Sequence, residues 1–176
     1  VAENVEPIIA DLAFPAFETL QEFTPDRDVL KQNSIVGFDG RDTRSRPFAM
    51  LRSQILRRIN QQARIIGVAS AMPGAGKSFV SVNLASSLAR ISDAPVYLID
   101  FDLRRGSVAS GLGIDCAVGI SDVLTDPQTG LTGVGSRISG TNLAVYPTRL
   151  LEDGTSELLS GDRFGQFIDR LRALPP

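Results

Sequence analysis

The chain has 176 residues, of which 43% are hydrophobic and 22% are charged, values that are ordinary for one soluble globular domain. It has no histidine and one cysteine, Cys116, which excludes Ser-His-Asp and Cys-His triads, zinc sites that need imidazole and internal disulfides, and favours a reducing compartment. With a formal net charge of −2, no long apolar run and no basic, apolar leader, we expect no nucleic-acid partner, no membrane span and no signal peptide.

Residues 1–40 are expected to form an N-terminal extension or linker with little regular structure, because three prolines interrupt them. The segment still contains apolar side chains that could dock on a core: Phe14, Phe17, Leu20 and Phe23. The remaining residues, 41–176, are assigned to one folded domain.

Charge is unevenly distributed near the start of the chain. Residues 1–28 contain seven acids and one base, whereas residues 41–64 contain seven arginines and one acid. This contrast indicates either a solvated acidic tail followed by a helix with an exposed basic face, or an interface for an acidic surface or phosphate.

The first regular elements predicted are a helix, a strand, a second helix and a second strand. Apolar residues at helical spacing predict a helix from Pro47 to about Gln61. Residues 64–70 and 94–101 are apolar runs typical of buried parallel strands, and a helix over residues 77–90 connects them. Strand, helix and strand together predict one right-handed crossover unit.

The rest of the chain is predicted to contain a short helix over residues 119–125, a third strand over residues 142–147 and a last helix from about Ser160 or Asp162. The buried face of that last helix is marked by Phe164, Phe167, Ile168 and Leu171. The predicted fold class is α/β, with a mostly parallel sheet and helices on both faces.

A glycine-rich segment between the first predicted strand and the second helix carries the clearest functional signal. Residues 71–78 read Ala-Met-Pro-Gly-Ala-Gly-Lys-Ser and end with the lysine and hydroxyl residue of a phosphate-binding loop, although Ala71 replaces the usual first glycine. Glycines allow several N–H groups to converge, and the following helix adds its positive end. The predicted contacts to the phosphates of ATP or ADP come from Pro73, Gly74, Ala75, Gly76, Lys77, Ser78 and Phe79.

Two carboxylates, Asp100 and Asp102, follow the second predicted strand. Ligands bind at the carboxyl ends of parallel strands, and alternate residues of a strand point the same way. The pair is therefore predicted to hold hydrated Mg²⁺ with Ser78, or to orient an attacking hydroxyl. The structural alternative is a strand-terminal cap at Asp100 and a surface acid at Asp102.

Taken together, these motifs resemble the bacterial tyrosine kinases of capsule and exopolysaccharide synthesis, P-loop enzymes related to the MinD/ParA ATPases. Residues 97–104 match that family's second nucleotide motif, apolar residues followed by Asp-x-Asp-x-Arg. Residues 119–124 (Gly-Ile-Ser-Asp-Val-Leu) and 155–160 (Thr-Ser-Glu-Leu-Leu-Ser) add to the similarity, which covers roughly residues 46–174.

The resemblance implies a P-loop NTPase-type fold and a tyrosine autokinase that uses ATP and Mg²⁺ to regulate polysaccharide polymerisation and export. It implies catalytic roles for Lys77, Asp100 and Asp102, and metal binding by Ser78, Asp100 and Asp102. The implied partners are an inner-membrane polysaccharide chain-length regulator, a tyrosine-containing protein substrate and further copies of the chain. The implied location is cytoplasmic, at the inner face of the cell membrane through a partner or fused domain.

The sequence also departs from the family pattern. No lysine lies between Lys31 and Lys77, although MinD/ParA ATPases have one early in the loop, and this favours the tyrosine-kinase branch. Of the self-association motif Glu-x-x-Arg-x-x-Arg, residues 46–52 retain only Arg52. The third nucleotide motif and the tyrosine cluster of these kinases do not occur in the sequence, which is therefore expected to be a fragment lacking the C-terminal part of its domain.

Three hypotheses remain open from the sequence. The first is an ATP-dependent protein-tyrosine kinase domain, and the second is a nucleotide-binding regulatory module without kinase activity in the same export system. The third is a MinD/ParA-type ATPase, which the missing lysine disfavours. The two tyrosines, Tyr97 and Tyr146, fall in predicted strands and are expected to be core residues with satisfied hydroxyls.

Overall fold

The computed structural model describes residues 10–58 and 65–174. Within these ranges, the helices are α1 (Arg27–Gln32), α2 (Arg46–Arg58), α3 (Lys77–Ala89), α4 (Ser107–Leu112), α5 (Ile120–Thr125), α6 (Thr155–Ser160) and α7 (Asp162–Arg172). The strands are β1 (Gln21–Phe23), β2 (Val96–Ile99), β3 (Ser136–Ile138) and β4 (Leu143–Tyr146).

The strands form one four-stranded sheet in the order β1-β3-β4-β2. The β1–β3 and β2–β4 pairs are parallel, and the β3–β4 pair is antiparallel. The α/β class with a mostly parallel sheet, predicted from the sequence, is therefore confirmed.

The side chains of β4 alternate between two apolar cores, one on each face of the sheet. Leu143 and Val145 belong to the core that contains residues of α3 and α4, whereas Ala144 and Tyr146 belong to the core that contains residues of α5 and α7. Successive strand residues point to opposite faces, so a strand that is apolar at every position is buried on both sides. All four residues of β4 are 0% exposed, as a strand covered by helices on both faces requires.

The expectation of little regular structure before residue 40 is wrong for residues 10–40. This segment contains β1 and α1, and β1 pairs in parallel with β3. The predicted docking of its apolar side chains is confirmed, since Leu20 is 6% exposed and Phe14, Phe17 and Phe23 pack against the cores. Prolines flank these short elements and leave the apolar contacts intact.

The predicted first strand is also wrong. Arg64 lies outside the described residues, while residues 65–70 form no strand and are exposed along their length. An apolar run favours burial, but a strand also needs a neighbouring edge for its N–H and C=O groups. The sheet formed by the described residues does not include this segment.

The other predicted elements are confirmed, with bounds that differ by a few residues. They correspond to α2, α3, β2, α5, β4 and α7. The predicted end of the α2 helix near Gln61 lies outside the described residues. In the described ranges, no helix is both long and apolar enough to cross a bilayer.

Candidate functional site

The loop before α3 has a backbone conformation that glycine favours. Gly74 and Gly76 have φ angles of 73° and 85°, in the left-handed region that other residues rarely adopt. A Cβ at either position would meet no atom within 4 Å, so the requirement comes from the backbone and not from crowding. The chain leaves this conformation at Lys77, where α3 begins.

At the start of α3, the first N–H groups have no hydrogen-bond acceptor among the described residues. The first helical hydrogen bond runs from the Val80 N–H to the Gly76 carbonyl, at 2.9 Å. Among the described residues, the N–H groups of Gly76, Lys77, Ser78 and Phe79 donate no hydrogen bond. Unpaired N–H groups at a helix start, together with the positive end of the helix dipole, form an anion-binding site.

Two side chains of this helix start reach the loop that follows β2. The Lys77 ammonium lies 3.2 Å from the Asp102 carboxylate. The Lys77 side chain is 25% exposed and the Asp102 side chain 21%. The hydroxyls of Ser78 and Ser107 are 2.6 Å apart and share a hydrogen bond. The structure therefore brings together Lys77, Ser78 and Asp102, three of the residues predicted to form the site.

Asp100 is held differently from Asp102. Its carboxylate accepts hydrogen bonds from the Asp102 N–H at 2.9 Å and from the Val108 N–H at 3.2 Å, and the residue is 5% exposed. Burial raises the pKa of Asp100, and the two backbone hydrogen bonds oppose that rise. Because β2 ends at Ile99, strand alternation does not extend to the two acids, and they have different partners.

An open cavity of about 640 Å³ joins the two loops. Its polar side chains include Lys77, Ser78, Asp102 and three residues that site prediction missed, Arg104, Arg105 and Ser107. Arg104 is the arginine of the Asp-x-Asp-x-Arg motif and Arg105 comes next, and these positions could have identified them. Pro73, Ala75 and Asp100 do not line this cavity, so their predicted contacts with ligand stay predictions.

One wall of the cavity comes from the N-terminal segment, through Asn33 and Ile35. Asn83 of α3, 0% exposed, fixes this wall. Its side-chain oxygen accepts from the N–H groups of Val36 and Gly37 at 2.7 and 2.9 Å, and its amide donates to the carbonyls of Phe79 and Ser34. No sequence motif marks this contact, because it joins segments more than 40 positions apart.

These donors fit a chain of phosphates. The free N–H groups of the α3 start and the Lys77 ammonium are anion donors, and Arg104 and Arg105 extend the positive lining. The Ser78 hydroxyl and the Asp102 carboxylate are hard oxygen ligands of the kind that Mg²⁺ prefers. The described residues contain no cluster of three or more acidic, cysteine or histidine side chains that could hold a metal without such a ligand.

Tyr146 lies in the core, as expected, whereas Tyr97 packs against the core from a partly buried position. Tyr146 is 0% exposed, and Tyr97 is half-buried with its ring 6.3 Å from that of Tyr146. The expectation of a satisfied hydroxyl is wrong for Tyr146, whose oxygen has no hydrogen-bond partner among the described residues. Burial raises the pKa of both phenols.

Comparisons with known proteins identify tyrosine-protein kinases among the relatives of this chain. The chain is 34% identical over 107 residues to the tyrosine-protein kinase ptk of Acinetobacter johnsonii, covering 61% of this chain and 14% of the relative. It is 31% identical over 121 residues to the tyrosine-protein kinase wzc of Salmonella typhi, covering 69% and 15%. The chain thus spans about one seventh of these relatives. No family model matches it.

Solved structures agree in fold. The chimerical protein CapA2B2 superposes with a TM-score of 0.70 at 23% identity, covering 86% of this chain and 64% of that protein. The VpsO kinase domain gives a TM-score of 0.62 at 29% identity, covering 73% and 64%. The predicted resemblance to bacterial tyrosine kinases is therefore confirmed.

Proposed function

We propose that this chain carries the ATP-binding part of a bacterial protein-tyrosine kinase domain that regulates the polymerisation and export of capsular polysaccharide or exopolysaccharide. The observation that carries the proposal is the convergence of unbonded N–H groups at the start of α3 with Lys77 and Asp102, in a chain whose relatives are tyrosine kinases. The cellular setting is proposed by the same likeness: the cytoplasmic side of the inner membrane, beside or fused to a chain-length regulator.

Each residue then has a defined role at the phosphates. The N–H groups of Gly76 to Phe79 and the Lys77 ammonium bind the β- and γ-phosphate oxygens, and Lys77 leaves Asp102 to do so. Mg²⁺, when bound, neutralises developing phosphate charge, and Ser78 and Asp102 are its ligands in this proposal. Asp100 orients the loop that presents Asp102, which makes it a positioning residue here.

The phosphate acceptor is proposed to be a tyrosine outside the described core. Tyr97 and Tyr146 are the only tyrosines in the sequence, and both rings pack against Phe14. Neither tyrosine lines the phosphate cavity. A tyrosine outside residues 1–176, in this protein or in a partner, is therefore the acceptor to test.

A regulatory module without phosphate transfer is the second candidate. It is favoured by Asp100, whose two carboxylate oxygens already accept backbone hydrogen bonds, and by the pairing of Asp102 with Lys77. Such a module would bind nucleotide and change the Lys77–Asp102 contact without catalysis. The two candidates share the binding site and differ in chemistry.

Calorimetry with MgATP and MgADP, followed by labelling of a tyrosine peptide with γ-³²P ATP, separates the candidates. The kinase proposal expects nucleotide binding and label on the peptide. Lys77→Met should reduce both, whereas Arg172→Gln, an exposed control, should reduce neither. A phenylalanine version of the peptide must stay unlabelled. Binding without label would support the regulatory module, and absence of binding would contradict both.

A further inference from the structure

A second cavity lies at the opposite end of α3 from the phosphate loop. It measures about 440 Å³, within the range of about 300 to 1,000 Å³ usual for small-ligand sites. Its lining includes Ala89 and Arg90 at the end of α3 and residues of the β3–β4 turn. The helix spans 13 residues, so its two ends lie roughly 18 Å apart at 1.5 Å per residue.

Two arginines line this cavity with unused donor capacity. Among the described residues, the Arg90 guanidinium makes no hydrogen bond or ion pair, although it lies against Gly40, where an added Cβ would sit 2.5 Å from its Nη1. Arg137 pairs with Glu22 through Nη2 at 2.6 Å, but its Nε is buried and has no partner within the described ranges. The Gly140 N–H of the adjacent turn donates no hydrogen bond there either.

Among the described residues, Arg90 has no ion-pair partner, and Arg137 has one, Glu22. Burial lowers the pKa of Arg52, and the nearby positive charge of Arg90 lowers it further. Both carboxylate oxygens of Glu22 are engaged, one by Arg137 and one by the Ser139 hydroxyl. The last carbonyls of α3 would repel an anion, but those of Ser86 and Leu88 already accept hydrogen bonds from the N–H groups of Arg90, Ile91 and Ser92.

Aromatic side chains form the remaining distinctive part of the lining. Phe17 and Phe38 contribute to the cavity and are each only partly buried. Rings in such walls favour another ring, by about 0.5–1.5 kcal/mol beyond simple burial. A ligand that satisfies both halves of the cavity therefore combines a phenyl ring with a strong anion.

We propose that this cavity binds an aryl phosphate, the side chain of a phosphotyrosine, with the phosphate on the guanidinium groups of Arg90 and Arg137 and on the Gly140 N–H, and the ring between Phe17 and Phe38. Planar guanidinium groups are suited to bidentate recognition of oxyanions, and a phosphate offers three terminal oxygens to the three donor groups where a carboxylate offers two. This inference does not depend on the chain's own catalytic activity, because the cavity shares no lining residue with the phosphate loop.

The test is a titration of the ¹⁵N-labelled full chain by N-acetyl-phosphotyrosine amide, followed at the Gly140 amide by NMR. Saturating MgADP occupies the phosphate loop, and the same titration without nucleotide shows whether that loop binds the probe separately. We expect a saturable Gly140 shift, weakened about tenfold or more in Arg90→Gln, the size of one lost charge-assisted hydrogen bond. Arg137→Lys keeps a charge facing Glu22 but removes the planar guanidinium, and should weaken binding similarly.

Three comparisons decide the ligand class. N-acetyl-tyrosine amide tests the phosphate, phosphoserine amide tests the ring, and inorganic phosphate tests adventitious anion binding. Each should bind at least about tenfold more weakly than phosphotyrosine amide. Equal binding of any of the three, no shift at Gly140, or an undiminished shift in Arg90→Gln would overturn the proposal. Arg172→Gln, which changes an exposed arginine elsewhere, should leave the titration unchanged.

Discussion

The loop after β2 and the loop before α3 meet at the Lys77–Asp102 contact, yet the protein holds them in different ways. The first is fastened internally: Asp100 is buried and binds the N–H groups of Asp102 and Val108. The second is exposed from residue 71 to 75, and its shape depends on the φ angles of Gly74 and Gly76. The loop after β2 is thus held by hydrogen bonds within the fold, whereas the N–H groups around the loop before α3 remain available to an anion.

The cavity wall formed by Asn33 and Ile35 is also held by hydrogen bonds within the fold, through Asn83. Asn83→Ala should give the largest effect, a loss of roughly 3–5 kcal/mol in the free energy of unfolding, because it removes four hydrogen bonds at a 0% exposed position. Urea denaturation measures it. Asn33→Ala is the matched control, with one exposed hydrogen bond, and a comparable loss there would contradict this assignment.

Asp100→Ala should come next, with a loss of about 2–4 kcal/mol in the same measurement. It leaves two backbone N–H groups without an acceptor in a buried loop, and each such group costs about 1–3 kcal/mol. Asp102→Ala, in the same loop, should cost less than about 1 kcal/mol, because its ion pair with Lys77 is partly exposed. Equal losses for the two variants would show that the loop is not fastened through Asp100.

Gly76→Ala should separate binding from stability. An alanine in the left-handed region costs about 1–2 kcal/mol, so nucleotide affinity should fall about tenfold. Because the loop is exposed and can relax without nucleotide, the free energy of unfolding should change little. Calorimetry with MgADP and urea denaturation measure the two quantities. Gly133→Ala is the control, since Gly133 also has a positive φ, 81°, and open space for a Cβ, but lies outside the cavity. Unchanged affinity in Gly76→Ala would refute the role of the loop conformation.

Lys77→Met should give the smallest change in stability without nucleotide, at most about 1 kcal/mol. The Lys77–Asp102 pair is partly exposed and spans 3.2 Å, so its loss leaves no buried charge uncompensated. Thermal unfolding of the nucleotide-free protein checks this. A loss as large as that of Asp100→Ala would mean that Lys77 is a structural residue of the folded loop.

Secondary structure was predictable where one local pattern dominates. The α3 helix starts where the phosphate-loop motif ends, and the amphipathic spacing around Phe167 correctly identified α7. The strand prediction for residues 65–70 was wrong because local pattern does not decide pairing. The composition favours a strand, but pairing depends on a strand edge supplied by distant residues. β1 was missed because three residues between prolines carry too little pattern.

The sequence by itself determined the local chemistry: a glycine turn, a lysine and a hydroxyl at one helix start, and two acids after an apolar strand. Their spacing along the chain fixes these features, because neighbouring residues must share one turn or one strand end. Only the tertiary structure decided that Asp102 faces Lys77 while Asp100 accepts hydrogen bonds from two backbone N–H groups, and that Asn83 brings the N-terminal segment to the cavity. These contacts depend on how separate segments pack, which no single stretch of sequence encodes.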